Sequence, residues 1–124
     1  MDRVLLDTDV IIENFKGNET ILSKIKDLKD EKAFFCISPV SIAEVYAGLR
    51  SGEEEMVEEF FNSLSCLPID QLIAVKAGAY LRSYSKSHGL EIADAMIAAI
   101  SFHNKARLFT LNKRHYPMRD IRFV

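Results

Sequence analysis

The nine residues Ile92-Ala93-Asp94-Ala95-Met96-Ile97-Ala98-Ala99-Ile100 are apolar everywhere except at Asp94. A helix that is apolar all round is buried. The stretch therefore predicts a core helix, from about residue 91 to 104, that carries one carboxylate in with it. Such a carboxylate is costly unless it is paired or bound to a cation. Asp94 reads either as an N-cap or as a buried functional group, and the helical look of Leu90 to Ala93 weighs against the cap.

The segments around this helix alternate in type. Val4-Leu5-Leu6 is a short branched-aliphatic run, and Ala33-Phe34-Phe35-Cys36-Ile37 is a second; both read as buried strands. Ile21, Leu22, Ile25 and Leu28 recur at helical spacing between charged residues. Ser38-Pro39 starts a helix running to about Leu49, with Ser as cap and Pro in the first turn. Ser51 and Glu54 fit a capping box for a helix whose inner face is Met56, Val57, Phe60, Phe61 and Leu64. Leu67-Pro68-Ile69 reads as a short edge strand, residues 71–87 as a helix stopped by Gly89, and Leu108–Leu111 and Ile121–Val124 as two further strands. The alternation predicts an α/β fold with a mainly parallel sheet of four to five strands and helices on both faces. No glycine-rich phosphate loop follows any strand, which excludes the P-loop and dinucleotide-binding classes.

At 124 residues the chain is expected to form one domain, residues 1–124. No apolar run approaches the ~18 residues of a membrane span, and the first residues lack the pattern of a signal peptide. Cys36 and Cys66 read as two buried, reduced thiols of a cytoplasmic protein. A net charge of −2 argues against a nucleic-acid binder. Its distribution argues otherwise: residues 1–70 hold 15 acidic and 7 basic side chains, and residues 71–124 hold 3 and 9.

In an open α/β sheet, ligands bind beyond the carboxyl ends of the strands. Asp7 ends the first strand, and Asn112 follows Leu108–Leu111. Glu44 lies about two turns past the second strand, and Asp94 near the start of the apolar helix. Asp7 reads as a helix cap or as a metal ligand or nucleophile, and Asp9 as a cap, a partly exposed acid or a ligand. Ser41 and Glu44 have capping-box spacing, but Pro39 moves the helix start to Ser38 and leaves Glu44 half-buried inside it. Thr110 and Asn112 read as strand-end turn residues or as parts of a site. Three acids converging without a counter-charge repel, and a divalent cation resolves this. Mg²⁺ takes hard oxygen ligands, keeps several waters and typically bridges to phosphate.

Four blocks carry a resemblance that spans nearly the whole chain. They are Leu5-Leu6-Asp7-Thr8-Asp9-Val10-Ile11-Ile12, Ser41-Ile42-Ala43-Glu44-Val45-Tyr46-Ala47-Gly48, Ile92-Ala93-Asp94-Ala95-Met96-Ile97-Ala98-Ala99 and Thr110-Leu111-Asn112-Lys113-Arg114-His115-Tyr116. In this order they resemble the PIN domain, and within it the VapC-type toxins of toxin–antitoxin pairs. The resemblance implies a three-layer α/β/α fold and a Mg²⁺- or Mn²⁺-dependent endoribonuclease whose in-line attack leaves a 5′-phosphate. It also implies a homodimer inhibited by a small antitoxin. Asp7, Glu44 and Asp94 match the family's acidic ligand positions. Thr8 and Thr110 match polar positions beside the site. Asn112 stands where many PIN nucleases carry a fourth acid, a departure that leaves the number of metal ions open.

On this reading the basic half of the chain has a use. Arg82, Lys86, Lys113, Arg114 and His115 would guide single-stranded or looped RNA towards the acids. Two rival readings fit the same residues. The paired aspartates of Asp7-Thr8-Asp9-Val10 resemble the opening of haloacid-dehalogenase-like phosphatases, although the chain is short and that family's later acidic pair is missing. A catalytically inactive PIN-like module that only binds an antitoxin would instead use the amphipathic helices at 21–28 and 53–64, with Phe60 and Phe61.

Overall fold

The computed structural model describes residues 1–124. Five strands, β1 (Arg3–Leu6), β2 (Phe34–Ile37), β3 (Ser65–Cys66), β4 (Arg107–Phe109) and β5 (Arg122–Phe123), alternate with six helices. The helices are α1 (Thr8–Phe15), α2 (Glu19–Asp30), α3 (Pro39–Ala47), α4 (Glu54–Asn62), α5 (Gln71–His88) and α6 (Ile92–His103). The sheet order is β3-β2-β1-β4-β5, and every neighbouring pair is parallel.

Side chains alternate across a strand, and here the alternation divides the core into two. Val4, Leu6, Ile37 and Phe109 face Val10, Ile11, Ile21, Leu28, Val45 and Val57 from α1–α4. Leu5, Cys36 and Leu108 face Ile73, Ala77, Tyr80 and the apolar run of α6 on the other side. The central strands β1, β2 and β4 are thus enclosed on both faces at their carboxyl ends, which explains their apolar sequence. The result is the expected three-layer α/β/α arrangement. α6 lies against the sheet with α5 packed over it, so Ala95 and Ile97–Ile100 are all enclosed.

The helix ends follow local chemistry. Ser38 caps α3, its hydroxyl accepting Ser41 N–H at 3.0 Å, with Pro39 in the first turn. Asp70 caps α5 through Ile73 N–H, and Gly89 closes that helix at φ 63°, a conformation that glycine adopts without strain. Phe60 packs edge-to-face on Phe15 and Phe61 lies against Tyr46, so both rings are largely core packing.

Several expectations are corrected. The strand expected at Leu67–Ile69 lies at Ser65–Cys66, because the register sets Cys66 opposite Ile37. Leu67 N–H adds a last bond to Ile37 O at 2.9 Å, and Pro68, without an N–H, ends the run. The strand expected at Leu108–Leu111 ends at Phe109, releasing Thr110 and Leu111 into the loop. Ser51 caps nothing: Glu53 occupies the N-cap without a side-chain bond to the helix. Its carboxylate takes Arg50 N–H at 2.7 Å and Glu54 takes Gly52 N–H at 3.0 Å, so the acids reach back to hold the turn. Cys36 is buried as expected, but Cys66 is exposed on the edge strand.

Candidate active site

The carboxyl ends of β1, β2 and β4 open onto one edge of the sheet, and the polar residues there interlock. Asp7 directly follows β1. Its backbone N–H extends the ladder to Phe109 O at 2.9 Å, and its side chain caps α1 through Oδ1, which accepts Thr8 N–H at 2.8 Å. The cap uses only one oxygen. Oδ2 accepts two hydroxyl bonds, from Thr110 at 2.9 Å and from Tyr116 at 2.7 Å. The cap and the acceptor of both hydroxyls are therefore the same side chain, buried to 7% exposure.

Tyr116 joins Asp7 to Asp94. Its hydroxyl lies 3.4 Å from Asp94 Oδ1 as well as 2.7 Å from Asp7 Oδ2. Asp94 sits in the first turn of α6, inside the helix and not at its N-cap, which is Glu91. Burial raises the Asp94 carboxyl above the ordinary range, and the nearby Asp7 charge raises it further. His115 Nδ1 stands 3.8 Å from Asp94 Oδ2 and opposes this in part. Burial and the Asp7 charge push the Tyr116 phenol far upward, so its hydroxyl keeps its proton and remains a donor.

Asp9 works beside them. Its Oδ2 accepts Leu111 N–H at 3.1 Å and lies 3.4 Å from Thr110 Oγ1, pinning the loop after β4. Its Oδ1 is buried without a hydrogen-bond partner. Burial and the Asp7 charge raise the Asp9 carboxyl too. Asp9 is thus a loop anchor, not a helix cap.

Glu44 departs from the sequence reading. It is exposed on α3, not half-buried, because the helix turns it outward over the site edge. It is nevertheless held. Thr8 Oγ1 lies 2.7 Å from Glu44 Oε1 and 2.9 Å from Ser41 Oγ, which lies 3.2 Å from Ser38 Oγ. A hydroxyl has one proton to give, and a carboxylate can only accept. The Thr8 proton therefore goes to Glu44, and Ser41 and Ser38 supply the donors behind it. This chain of hydroxyls starts from two serines at 0% exposure and ends at the acid.

Three acids thus gather behind the edge of the sheet and a fourth stands at its rim, but no three acidic or histidine side chains enclose a single point. Asn112 bonds to none of the acids: its amide Nδ2 lies 3.1 Å from His115 Nε2, and its backbone N–H bonds to Thr110 Oγ1 at 3.1 Å. Lys113 lies 5.6 Å over the Phe123 ring. Lys113, Arg114 and His115 form a single exposed 3-10 turn beside the acids. Together with Thr110, Leu111 and Asn112, the first two line an open depression of about 700 Å³. Arg82 and Lys86 are exposed on α5 and bond to none of these groups. Lys86 occupies the last turn of α5, at the end where the chain turns into α6 and Asp94.

Sequence reasoning missed Tyr116, Ser38 and Ser41 as parts of the site. An aromatic residue in front of Pro117 reads as core, and Tyr116 does pack in the core at 3% exposure. The signal lay in its being Tyr and not Phe, four residues after Asn112. A buried tyrosine hydroxyl seeks a partner.

A family model for the PIN domain matches residues 4–122. The chain belongs to the PIN-domain family. It is 33% identical over 120 residues to ribonuclease VapC10 of Mycobacterium tuberculosis, covering 93% of this chain and 86% of that protein. The crystal structure of FitAcB from Neisseria gonorrhoeae is 28% identical, covers 97% of this chain and 95% of its own, and superimposes with a TM-score of 0.77. A toxin–antitoxin complex from Klebsiella pneumoniae shares the fold at 22% identity and a TM-score of 0.78, over 94% of this chain and 92% of its own. The family assignment removes the haloacid-dehalogenase alternative. No helix of this PIN protein is long and apolar enough to cross a membrane.

Proposed function

We propose that this PIN-domain protein is a divalent-metal-dependent endoribonuclease that hydrolyses RNA phosphodiester bonds. In this reading it is the toxin of a toxin–antitoxin pair acting in the cytoplasm. One observation carries the chemistry: Asp7 and Asp94 lie 2.7 and 3.4 Å from one hydroxyl, and neither carboxylate bonds to a lysine or arginine. Likeness to VapC10, a ribonuclease, supports the substrate class.

The residues fit Mg²⁺, or Mn²⁺ in its place. All donors are hard oxygens, and burial, with the Asp7 charge adding to it, raises the Asp94 and Asp9 carboxyls. An ion that keeps several of its own waters needs only one or two carboxylates. A site with two bridged acids and a third at the rim suits that better than a closed cage would. When bound, such an ion supplies stabilisation of phosphate charge and a more acidic water.

Asp7 and Asp94 hold the ion. Glu44, steadied by Thr8, faces solvent at the rim and accepts a proton from the attacking water. Thr110 and Asp9 keep Asp7 and the loop after β4 in place. Asn112, Lys113, Arg114 and His115 meet the phosphodiester backbone, with Arg82 and Lys86 further along its path. A cognate antitoxin restrains the activity, and two copies pair as a homodimer, which light scattering measures directly.

Asp94→Asn tests the proposal. The folded variant is expected to lose RNA cleavage in Mg²⁺ by at least about 100-fold, the scale of removing a group that stabilises transition-state charge. Chelation should abolish cleavage by the parent protein. Cleavage by Asp94→Asn at the parent rate overturns the assignment. Growth arrest on expression, relieved by co-expression of the adjacent small gene, tests the toxin role; harmless expression removes it.

A further inference from the structure

Tyr116 is placed unlike any other residue near the acids. Its ring is fixed from within: it belongs to the core formed by α5, α6 and the sheet, and meets Phe123 edge-on at 6.4 Å. Its backbone N–H bonds to Lys113 O at 3.0 Å, closing the 3-10 turn. Only the hydroxyl emerges from the core, between two carboxylates from distant parts of the chain. The bond to Asp7 is 2.7 Å, the length of a charge-assisted O–H···O⁻ contact.

We propose that Tyr116 is a positioning residue that sets the separation of Asp7 and Asp94, and with it the affinity of the site for a divalent cation. This rests on the reading above, in which those two acids hold the ion. The hydroxyl draws charge density from Asp7 Oδ2, so Asp94 can stay near without being driven off. Because the ring is anchored in the core, the hydroxyl fixes Asp7 through its proton and, at 3.4 Å, sets how closely Asp94 approaches. Asp7 keeps Thr8 N–H and the Thr110 hydroxyl without it, so Asp7 itself stays in place. Asp94 has no such second anchor: its other neighbour is His115, an exposed ring at 3.8 Å. Loss of the hydroxyl removes that spacer, and the two acids no longer stand at the separation that suits the ion.

The effect opposes another. Removing a donor from Asp7 makes that carboxylate a stronger ligand in its own right. Orientation outweighs this where outer hydrogen-bond partners of metal ligands have been removed, typically at a cost of about 10–100-fold in affinity.

The experiment is titration of Mn²⁺ into the protein, followed by calorimetry and by the paramagnetic resonance of free Mn²⁺, for the parent, Tyr116→Phe and Asp94→Asn. The parent is expected to bind saturably and Asp94→Asn to lose binding. Tyr116→Phe should bind about 10–100-fold more weakly while melting cooperatively. Tyr116→Phe binding within about threefold of the parent, well short of that range, or more tightly, overturns the role of Tyr116 and leaves the metal reading standing. Equal binding by parent and Asp94→Asn overturns the metal reading itself. A second measurement needs no variant. Saturating Mn²⁺ should perturb the near-ultraviolet absorption of a buried tyrosine in the parent, and an unchanged spectrum overturns the proposal even if Tyr116→Phe does not fold.

Discussion

Replacing Thr110 by Val keeps the branched side chain and deletes one hydroxyl. Two bonds go with it, the donation to Asp7 Oδ2 at 2.9 Å and the acceptance of Asn112 N–H at 3.1 Å. Thr110 is 6% exposed and Asp7 7%, so water does not replace the lost donor at the carboxylate. A hydrogen bond to a charged group contributes about 1.5–3 kcal/mol and a neutral one about 0.5–1.5 kcal/mol. Asn112 is only half-buried and its amide regains a water, which puts its share at the low end. The sum is about 2–4 kcal/mol. A domain of 124 residues unfolds with an entropy of about 0.26 kcal/mol/K, so Tm should fall by about 8–15 °C. Differential scanning calorimetry of the parent and Thr110→Val at neutral pH, without divalent ions, measures this. Asp7 keeps its Tyr116 and Thr8 bonds in the variant, so the transition should remain single. A fall of less than about 4 °C, or about 1 kcal/mol, would refute the claim that the Thr110 hydroxyl supports the buried carboxylate.

Two other outcomes follow from groups away from the acids. The paired bonds from Arg107 to Asp2, at 3.0 and 2.7 Å, hold the Asp2 carboxyl below its ordinary range. Their stabilisation is complete above the unfolded value of about 3.9 and is lost as pH falls through the lower folded value. Asp2→Asn should flatten that part of the acid limb of a stability–pH profile by under about 1 kcal/mol, since Asp2 is 39% exposed. An unchanged limb would contradict the pairing. A water-soluble thiol reagent should label Cys66 in the native protein and reach Cys36 only in denaturant, because Cys36 is buried and burial pushes its thiol upward. Native labelling of both thiols at similar rates would contradict the core placement of Cys36.

Asp94 was legible in the sequence because nothing around it is polar: a lone acid in an apolar helix has to be accounted for, and periodicity alone finds it. Asp7 was legible as important but not in its form. Sequence logic set the cap against a metal ligand or nucleophile as alternatives, whereas a carboxylate has two oxygens: Asp7 caps α1 with one and takes two hydroxyl donors on the other. Glu44 was misjudged because helical spacing gives the face of a residue only relative to its own helix. The tilt of α3 against α1 decides whether that face meets core or water. The β3 strand slipped by two residues for a similar reason: Leu67 has the stronger strand character, but pairing with Ile37 is a property of two segments. Tyr116 was hidden by distance. Its partners lie 109 and 22 residues away, and nothing local distinguishes a hydroxyl that meets a carboxylate from one that meets water.

The strand order has a consequence in time. β1 precedes the other four strands of the sheet in the chain and is its middle strand, and one of its two neighbours, β4, begins only at Arg107. The hydroxyls that hold Asp7 follow it by 103 and 109 residues. At about 5–20 residues per second, a growing chain carries Asp7 for roughly 5–20 s before those partners exist. Throughout that interval the N-terminal half can form α1–α4 and part of the sheet, but its most deeply placed acid lacks its hydroxyl partners. Arrival of residues 107–116 then adds the neighbouring strand, the Thr110 donor and the tyrosine brace nearly together. The arrangement of these side chains is therefore completed as a single late event of synthesis, however early its first carboxylate is made.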